Sequence, residues 1–184
     1  MVFCRLWRGV EWVVDSDGDG SFESSDDNCP ISENGVANYP DQGDTAIIPA
    51  DERIQLDIDL TSSGQGPLQS LELKSGSSND ASGTLLELNS NDLATSGDVT
   101  NNSEGSNNGL VLTSTGGTGS LTVGGRLVNS GNIRADNTPV QILISGQFDN
   151  NSGANVNLAT ADTLFVGSGI ENDASGTGEG ITAS

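Results

Sequence analysis

Apolar and polar positions alternate in short runs along most of this chain. Ile54, Leu56, Ile58 and Leu60 form one run and Leu121 and Val123 another, while Gly, Asn or Ser-Gly interrupts almost every window long enough for a helix. A period of two predicts half-buried strands, and the breakers leave no room for a long amphipathic helix. The expected class is all-β.

The alternation recurs at longer range. "SLTVGGRLVNSGNI" from Ser120, "QILISGQFDNNSGANV" from Gln141 and "TLFVGSGIENDASGTG" from Thr163 share two apolar residues at i and i+2, then a Gly, another apolar residue, an Asn and a Ser-Gly. Leu121 and Ile142 lie 21 residues apart, Ile142 and Leu164 lie 22 apart, and the same intervals separate Asn129, Asn150 and Asn172. Such a period with turn residues between strands predicts a parallel β-solenoid, in which each coil is too thin to have a core of its own and buries its apolar side chains against the coils above and below. Weaker copies, "SLELKSGSSNDASGTLLEL" and "LLELNSNDLATSGDVTNN", precede these, and residues 101–119 read as a longer turn or a partial coil. We therefore divide the chain into an N-terminal cap (1–43) and coils of that same period (44–184), the last of which stops partway through its pattern, as in a piece of a longer protein.

The repeat assigns faces. Val123 and Ile144 point inward, so a charge there should prevent folding, whereas Arg126 points outward and Arg126→Ser should be nearly silent. Asn129, Asn150 and Asn172 fall at corners and read as a structural ladder, because Asn tolerates left-handed backbone and its amide bonds to the next Asn. A sugar-binding row is the alternative for them. In the run from Ile54 to Leu60, Asp57 and Asp59 occupy the face opposite the apolar set; they read as the wet face of a half-buried strand, the alternative being a hydrolase carboxylate pair.

Composition sharpens this picture. With 25 Gly, 33% hydrophobic and 4% aromatic residues the chain resembles disordered sequences, but disorder would scatter its apolar residues and here they are periodic. The balance of 26 acidic against 6 basic residues, a formal charge of −20, opposes nucleic acid and anionic membranes as partners. It reads as a solvated acidic surface or as adaptation to an extracellular setting rich in divalent cations. There is no His, which excludes histidine-based catalysis. No segment reaches the roughly 18 apolar residues that span a bilayer, so membrane insertion is not expected. The opening "MVFCRLWRGVEWVV" is a poor secretory signal because Arg5, Arg8 and Glu11 interrupt it. Cys4 and Cys29 are either a disulfide tying the first strand to the acidic loop or two separate thiols.

That acidic loop, "DSDGDGSFESSDD", carries the spacing of a calcium loop: Asp15, Asp17 and Asp19 at positions 1, 3 and 5, Gly20 at the sharp turn, the Ser21 carbonyl at position 7 and Asp26 at position 12. The preceding "VEWVV" is β-branched and aromatic, which rules out a helix-loop-helix hand. The loop is either a Ca2+ site that offsets the mutual repulsion of its carboxylates or an acidic surface turn.

Several of these pieces resemble secreted and cell-surface bacterial β-solenoid proteins, the filamentous-haemagglutinin-like adhesins and autotransporter passengers. The resemblance is carried by Trp12, the Asp-Gly-Asp-Gly loop with Phe22, Pro40, Gly43-Asp44, Ile48-Pro49 and Leu56-Asp57, followed by coils similar to "L-x-V-x-G-x-L-x-N-x-G". Asn28-Cys29 stands where Asn-Trp would close the cap loop. The resemblance implies a right-handed parallel β-helix, secreted or at the cell surface, that acts as a stalk or adhesive segment. Its partners would be a surface glycan or protein receptor, with end-to-end stacking or continuation at the open end and with the N-terminal strands capping the other. Two alternatives remain. One is a carbohydrate-active β-helix enzyme, a polysaccharide lyase or hydrolase, for which the coils offer only the dispersed cations Lys74, Arg126 and Arg134. The other is a calcium-dependent assembly module.

Overall fold

A computed structural model describes residues 4–6, 10–15, 43–56, 59–61, 67–77, 83–88, 90–105, 108–112, 119–135, 139–158, 162–173 and 180–183. Every regular element among them is a strand, and the strands fall into three sheets that the chain visits in turn.

Sheet I begins with β1 (Cys4–Leu6) and β2 (Val10–Asp15) and continues through β3 (Thr45–Ile48), β5 (Ser70–Leu73), β8 (Val99–Asn101), β11 (Leu127–Asn129), β14 (Gln147–Asn150) and β17 (Gly169–Asn172). Sheet II holds β4 (Arg53–Gln55), β6 (Leu85–Glu87), β9 (Gly109–Val111), β12 (Asn132–Arg134), β15 (Asn155–Leu158) and β18 (Gly180–Ala183). Sheet III holds β7 (Leu93–Thr95), β10 (Ser120–Val123), β13 (Gln141–Ile144) and β16 (Thr163–Val166). From β3 onward the strand pairings within each sheet are parallel, and successive strands of a sheet come from successive coils. The protein is a parallel β-solenoid. At its N-terminal end β2 pairs antiparallel with β3 and β1 antiparallel with β2, so this hairpin covers one edge of sheet I.

Parallel neighbours stack like on like. Val99, Leu127, Phe148 and Ile170 share one inward column in sheet I. Leu86, Leu110, Ile133, Val156 and Ile181 share another in sheet II. Thr95, Val123, Ile144 and Val166 share a third in sheet III. Val123, Leu127 and Ile144 are fully buried, in agreement with the faces read from the repeat. Thr95, the polar member of its column, is satisfied through a 2.9 Å bond from its hydroxyl to the Gly97 carbonyl.

The coils are unequal. Along sheet I, Thr45 pairs with Ser70, 25 residues on; Leu71 with Val99 and Val99 with Leu127, 28 on; Leu127 with Phe148, 21 on; and Phe148 with Ile170, 22 on. The last two steps match the spacing read from the sequence. In the second and third coils the extra residues lie in the connections to and from sheet II; in the first they fall between Leu60 and Leu68, which bridge Leu93 and Thr95 of sheet III. Residues 101–119, read as a turn or partial coil, carry a complete sheet II strand, β9. The run from Ile54 to Leu60 is not one strand: β4 ends at Gln55, and Leu60 already bridges Leu93 beside sheet III. Inward residues stay inward around a corner, so alternation alone does not reveal the bend.

The corner from sheet III to sheet I is constant and tight. Gly97 donates its N–H to Gln69, Gly125 to Gly97, Gly146 to Gly125, and Ser168 to Gly146, at 2.7, 2.9, 2.9 and 3.2 Å. A Cβ on Gly146 would stand 2.4 Å from the Gly125 carbonyl oxygen, so the stack itself requires glycine there. The corner from sheet II to sheet III is irregular, and carboxylates supply the acceptors that a regular ladder would: Asp59 Oδ1 accepts from Asp92 N–H, Asp92 Oδ1 from Ser120 N–H, and Asp162 Oδ1 from Val140 N–H, at 2.8 to 2.9 Å.

Val123→Asp and Ile144→Asp should each abolish the cooperative melt in circular dichroism, since an unpaired buried charge exceeds the stability of a typical domain. Asp92→Ala should lower stability by about 1 kcal/mol, whereas Asp92→Asn, which keeps the accepting oxygen, should stay close to the parent. Equal losses in a denaturant titration would show that charge, and not the acceptor, is what the corner uses.

Candidate functional site

At the corner after sheet I, four successive coils each carry an amide. Asn101 Nδ2 donates to Asn129 Oδ1 at 2.8 Å, Asn129 Nδ2 to Asn150 Oδ1 at 2.8 Å, and Asn150 Nδ2 to Asn172 Oδ1 at 2.9 Å. The ladder read from Asn129, Asn150 and Asn172 is therefore present, and it starts one coil earlier, at Asn101. That rung was hidden because it stands 28 residues before the next. The local pattern apolar-x-Asn in "VTN" matches "LVN", "FDN" and "IEN" and is the signal that finds it.

The direction of the ladder is set by its second bonds. Each amide nitrogen also faces a backbone carbonyl, Asn132 at 2.9 Å for Asn101 and Asn155 at 3.3 Å for Asn129. Each amide oxygen faces a donor, the Ser103 hydroxyl at 2.8 Å for Asn101 and Gly131 N–H at 3.3 Å for Asn129. A flipped amide would set like against like at both ends. Asn101, Asn129 and Asn150 are buried and bonded inside the corner, which makes them structural and removes them from any sugar-binding row.

The outer face of sheet I carries most of the chemistry among the described residues. Register places Glu72, Thr100, Val128, Asp149 and Glu171 in one outward row, and Thr45, Ser70, Asp98, Arg126 and Gln147 in the next. Asp149 is only 3% exposed although it faces outward. Its Oδ1 accepts from Gln147 Nε2 at 2.5 Å, and its Oδ2, which makes no hydrogen bond, is ion-paired with Arg126 Nη2. Gln147 Nε2 also reaches Glu171 Oε2 at 3.1 Å. Arg126 is thus not the idle surface residue expected from the sequence. It lies outward as predicted, but its guanidinium covers a carboxylate that the sheet has taken out of water, a relation between coils that single-chain periodicity does not display.

Toward the N-terminal end the same face opens into a groove of about 420 Å3 lined by Thr45, Gln69, Ser70, Leu71, Glu72, Gly97, Asp98 and Thr100. Ser70 Oγ donates to Thr45 Oγ1 at 3.1 Å. Glu72 is held by Lys74 Nζ at 2.7 Å and approached by Asn102 Nδ2 at 3.4 Å. Asp98 is exposed and accepts Arg126 N–H at 2.7 Å through Oδ1.

Of the calcium-loop residues, Asp15 closes β2 and lies opposite Thr45, while Asp17, Asp19, Ser21 and Asp26 lie outside the described residues. Cys4 lies in β1 opposite Trp12, and Cys29 lies outside the described residues. Asp57 is likewise outside them, and Asp59 serves as a backbone acceptor. Among the described residues no group of three or more His, Cys, Asp or Glu converges as metal ligands would.

Arg126→Ser should destabilise the protein by about 1–3 kcal/mol by leaving the Asp149 carboxylate without its cation. The double variant Arg126→Ser/Asp149→Val should recover most of that loss, Val being what the neighbouring position 128 already carries. Denaturant melts of the two check this. Asn129→Asp, which turns a donor into an acceptor facing Asn150 Oδ1, should lose more stability than Asn129→Ala, while Asn172→Asp at the exposed end should lose little. No protein-family model matches the chain, and no curated protein and no solved structure matches it either, so what the solenoid does has to be argued from its own surface.

Proposed function

We propose that the chain is a structural or adhesive β-solenoid segment of a secreted or surface-exposed bacterial protein. The observation that carries this reading is the uninterrupted stack: six parallel strands of sheet I held column on column, a rod that sets a fixed spacing between whatever lies at its two ends and presents a polar outer face along its length. Its partner is a surface glycan or a protein receptor. Nucleic acid is disfavoured by the −20 charge.

The enzyme alternative has less support. A lyase needs a cation beside the substrate carboxylate and a base at the reacting carbon. Lys74 is committed to Glu72 and Arg126 to Asp149. Stacking or continuation belongs to the far end, where β16, β17 and β18 are the last strands of their sheets among the described residues and inward-facing Ile170 is 54% exposed. A Ca2+ ion in the loop from Asp15 to Asp26 would brace the cap and act as no switch, because a brace needs only to bind the folded form.

Two experiments bear on this. Beads coated with the purified chain should be retained on polysaccharide-coated or cell surfaces while the chain shows no turnover of those polysaccharides; release of new reducing ends or unsaturated sugars would overturn the reading in favour of an enzyme. Thermal melts in calcium and in chelator should differ by several degrees if the loop binds the ion, as expected for a ligand of the native state. Superimposable melts would remove calcium from the proposal.

A further inference from the structure

The groove on sheet I has a reason to be where it is. Farther along one outward row of this face stand the long side chains of Arg126 and Gln147. In that row β3, β5 and the turn into β8 carry the shorter Thr45, Ser70 and Asp98; Thr100 lies in the row beside it, and the same turn carries Gly97. Gly97 admits no side chain, since a Cβ there would stand 2.6 Å from the Gln69 carbonyl oxygen. Short side chains therefore leave the floor low over three neighbouring coils, a row about 10 Å long at the usual strand spacing. The resulting volume, about 420 Å3, falls within the roughly 300–1,000 Å3 typical of small-ligand sites.

The groove's chemistry is narrow. Hydroxyls of Thr45, Ser70 and Thr100 offer both donors and acceptors, and Gln69 adds an amide. Glu72 is fixed at the side by Lys74 and Asn102. Asp98 uses one oxygen on Arg126 N–H, and an ionised carboxylate has about four acceptor sites, so it retains capacity for ligand hydroxyls. The two carboxylates among the described lining residues, on a chain of net charge −20, repel anionic ligands. Hydroxyls flanked by acceptor-only carboxylates suit a ligand that is rich in hydroxyls and carries no negative charge.

We infer that this groove is a binding site for a short segment of a neutral glycan, with Asp98 accepting hydrogen bonds from sugar hydroxyls and Thr45, Ser70 and Thr100 completing the contacts. The inference rests on the adhesive reading and names its ligand class. Among the described residues no aromatic side chain lines the groove, and firm adhesion comes from many copies on a surface.

The test is heteronuclear NMR of the whole chain titrated with cellotetraose and chitotetraose, with tetragalacturonate as the anionic comparison. Backbone amides of Ser70, Glu72, Gly97 and Thr100 should shift with a neutral tetrasaccharide and not with the anionic one. Asp98→Asn, which keeps an oxygen for Arg126 N–H and so leaves the melting temperature unchanged, and Ser70→Ala should each weaken binding about 5–10-fold, the equivalent of one hydrogen bond. Absence of shifts with both neutral sugars up to their solubility limit, equal shifts with the anionic sugar, or undiminished binding by both variants would overturn the inference. Retention of Asp98→Asn beads on a surface that also retains the parent would leave the adhesive reading standing and remove the groove from it.

Discussion

No coil of this protein can satisfy itself. The backbone groups of β10 are bonded to β7 on one side and β13 on the other, and its inward Leu121 and Val123 stack on Leu93 and Thr95 of the one and on Ile142 and Ile144 of the other. Backbone polar groups withdrawn from water without partners are costly, and a few Leu and Val per coil bury too little area to compensate alone. Register between coils is consequently the constraint on which everything else depends. A shift by one residue would place Asp149 inside and Phe148 outside.

The polar side chains inside the stack obey the same constraint. An amide has two donors and can accept twice: in the corner after sheet I, Asn129 and Asn150 each donate to one ladder neighbour and accept from the other, while Asn101, the first rung, donates to Asn129 and the Asn132 carbonyl and accepts from Ser103. The ladder thus has a direction, donor side toward the later coils. It pins register because Leu73, the residue in that column one coil before Asn101, has nothing to offer it; the ladder can start at only one place. The pair formed by Arg126 and Asp149 works similarly on the outer face, joining residues of consecutive coils.

How legible this was in the sequence depended on coil regularity. The coils from Ser120 onward repeat at 21 and 22 residues, and there the strands, the inward columns and the Asn corners could be read directly. Before that, insertions stretch the step to 25 and 28 residues, which concealed Asn101 as a rung and β9 as a strand. The bend between Gln55 and Leu60 was invisible because a corner preserves which residues point inward. The groove and the partner of Arg126 were not legible at all, since both arise from side chains of different coils that meet only once the coils are stacked.

The acidity of the chain also has a partial structural origin. The corner from sheet III to sheet I is uniform, so backbone carbonyls of one coil meet the N–H groups of the next without help. At the irregular corner from sheet II to sheet III, Asp59, Asp92 and Asp162 supply the missing acceptors. An Asn oxygen would serve each of these bonds, so hydrogen bonding alone does not explain the choice of Asp. What Asp adds over Asn is charge, and these three residues contribute to the net −20 that keeps the surface of the stack solvated. One residue type thus both closes the irregular corners and adds to the charge of the surface on which they lie.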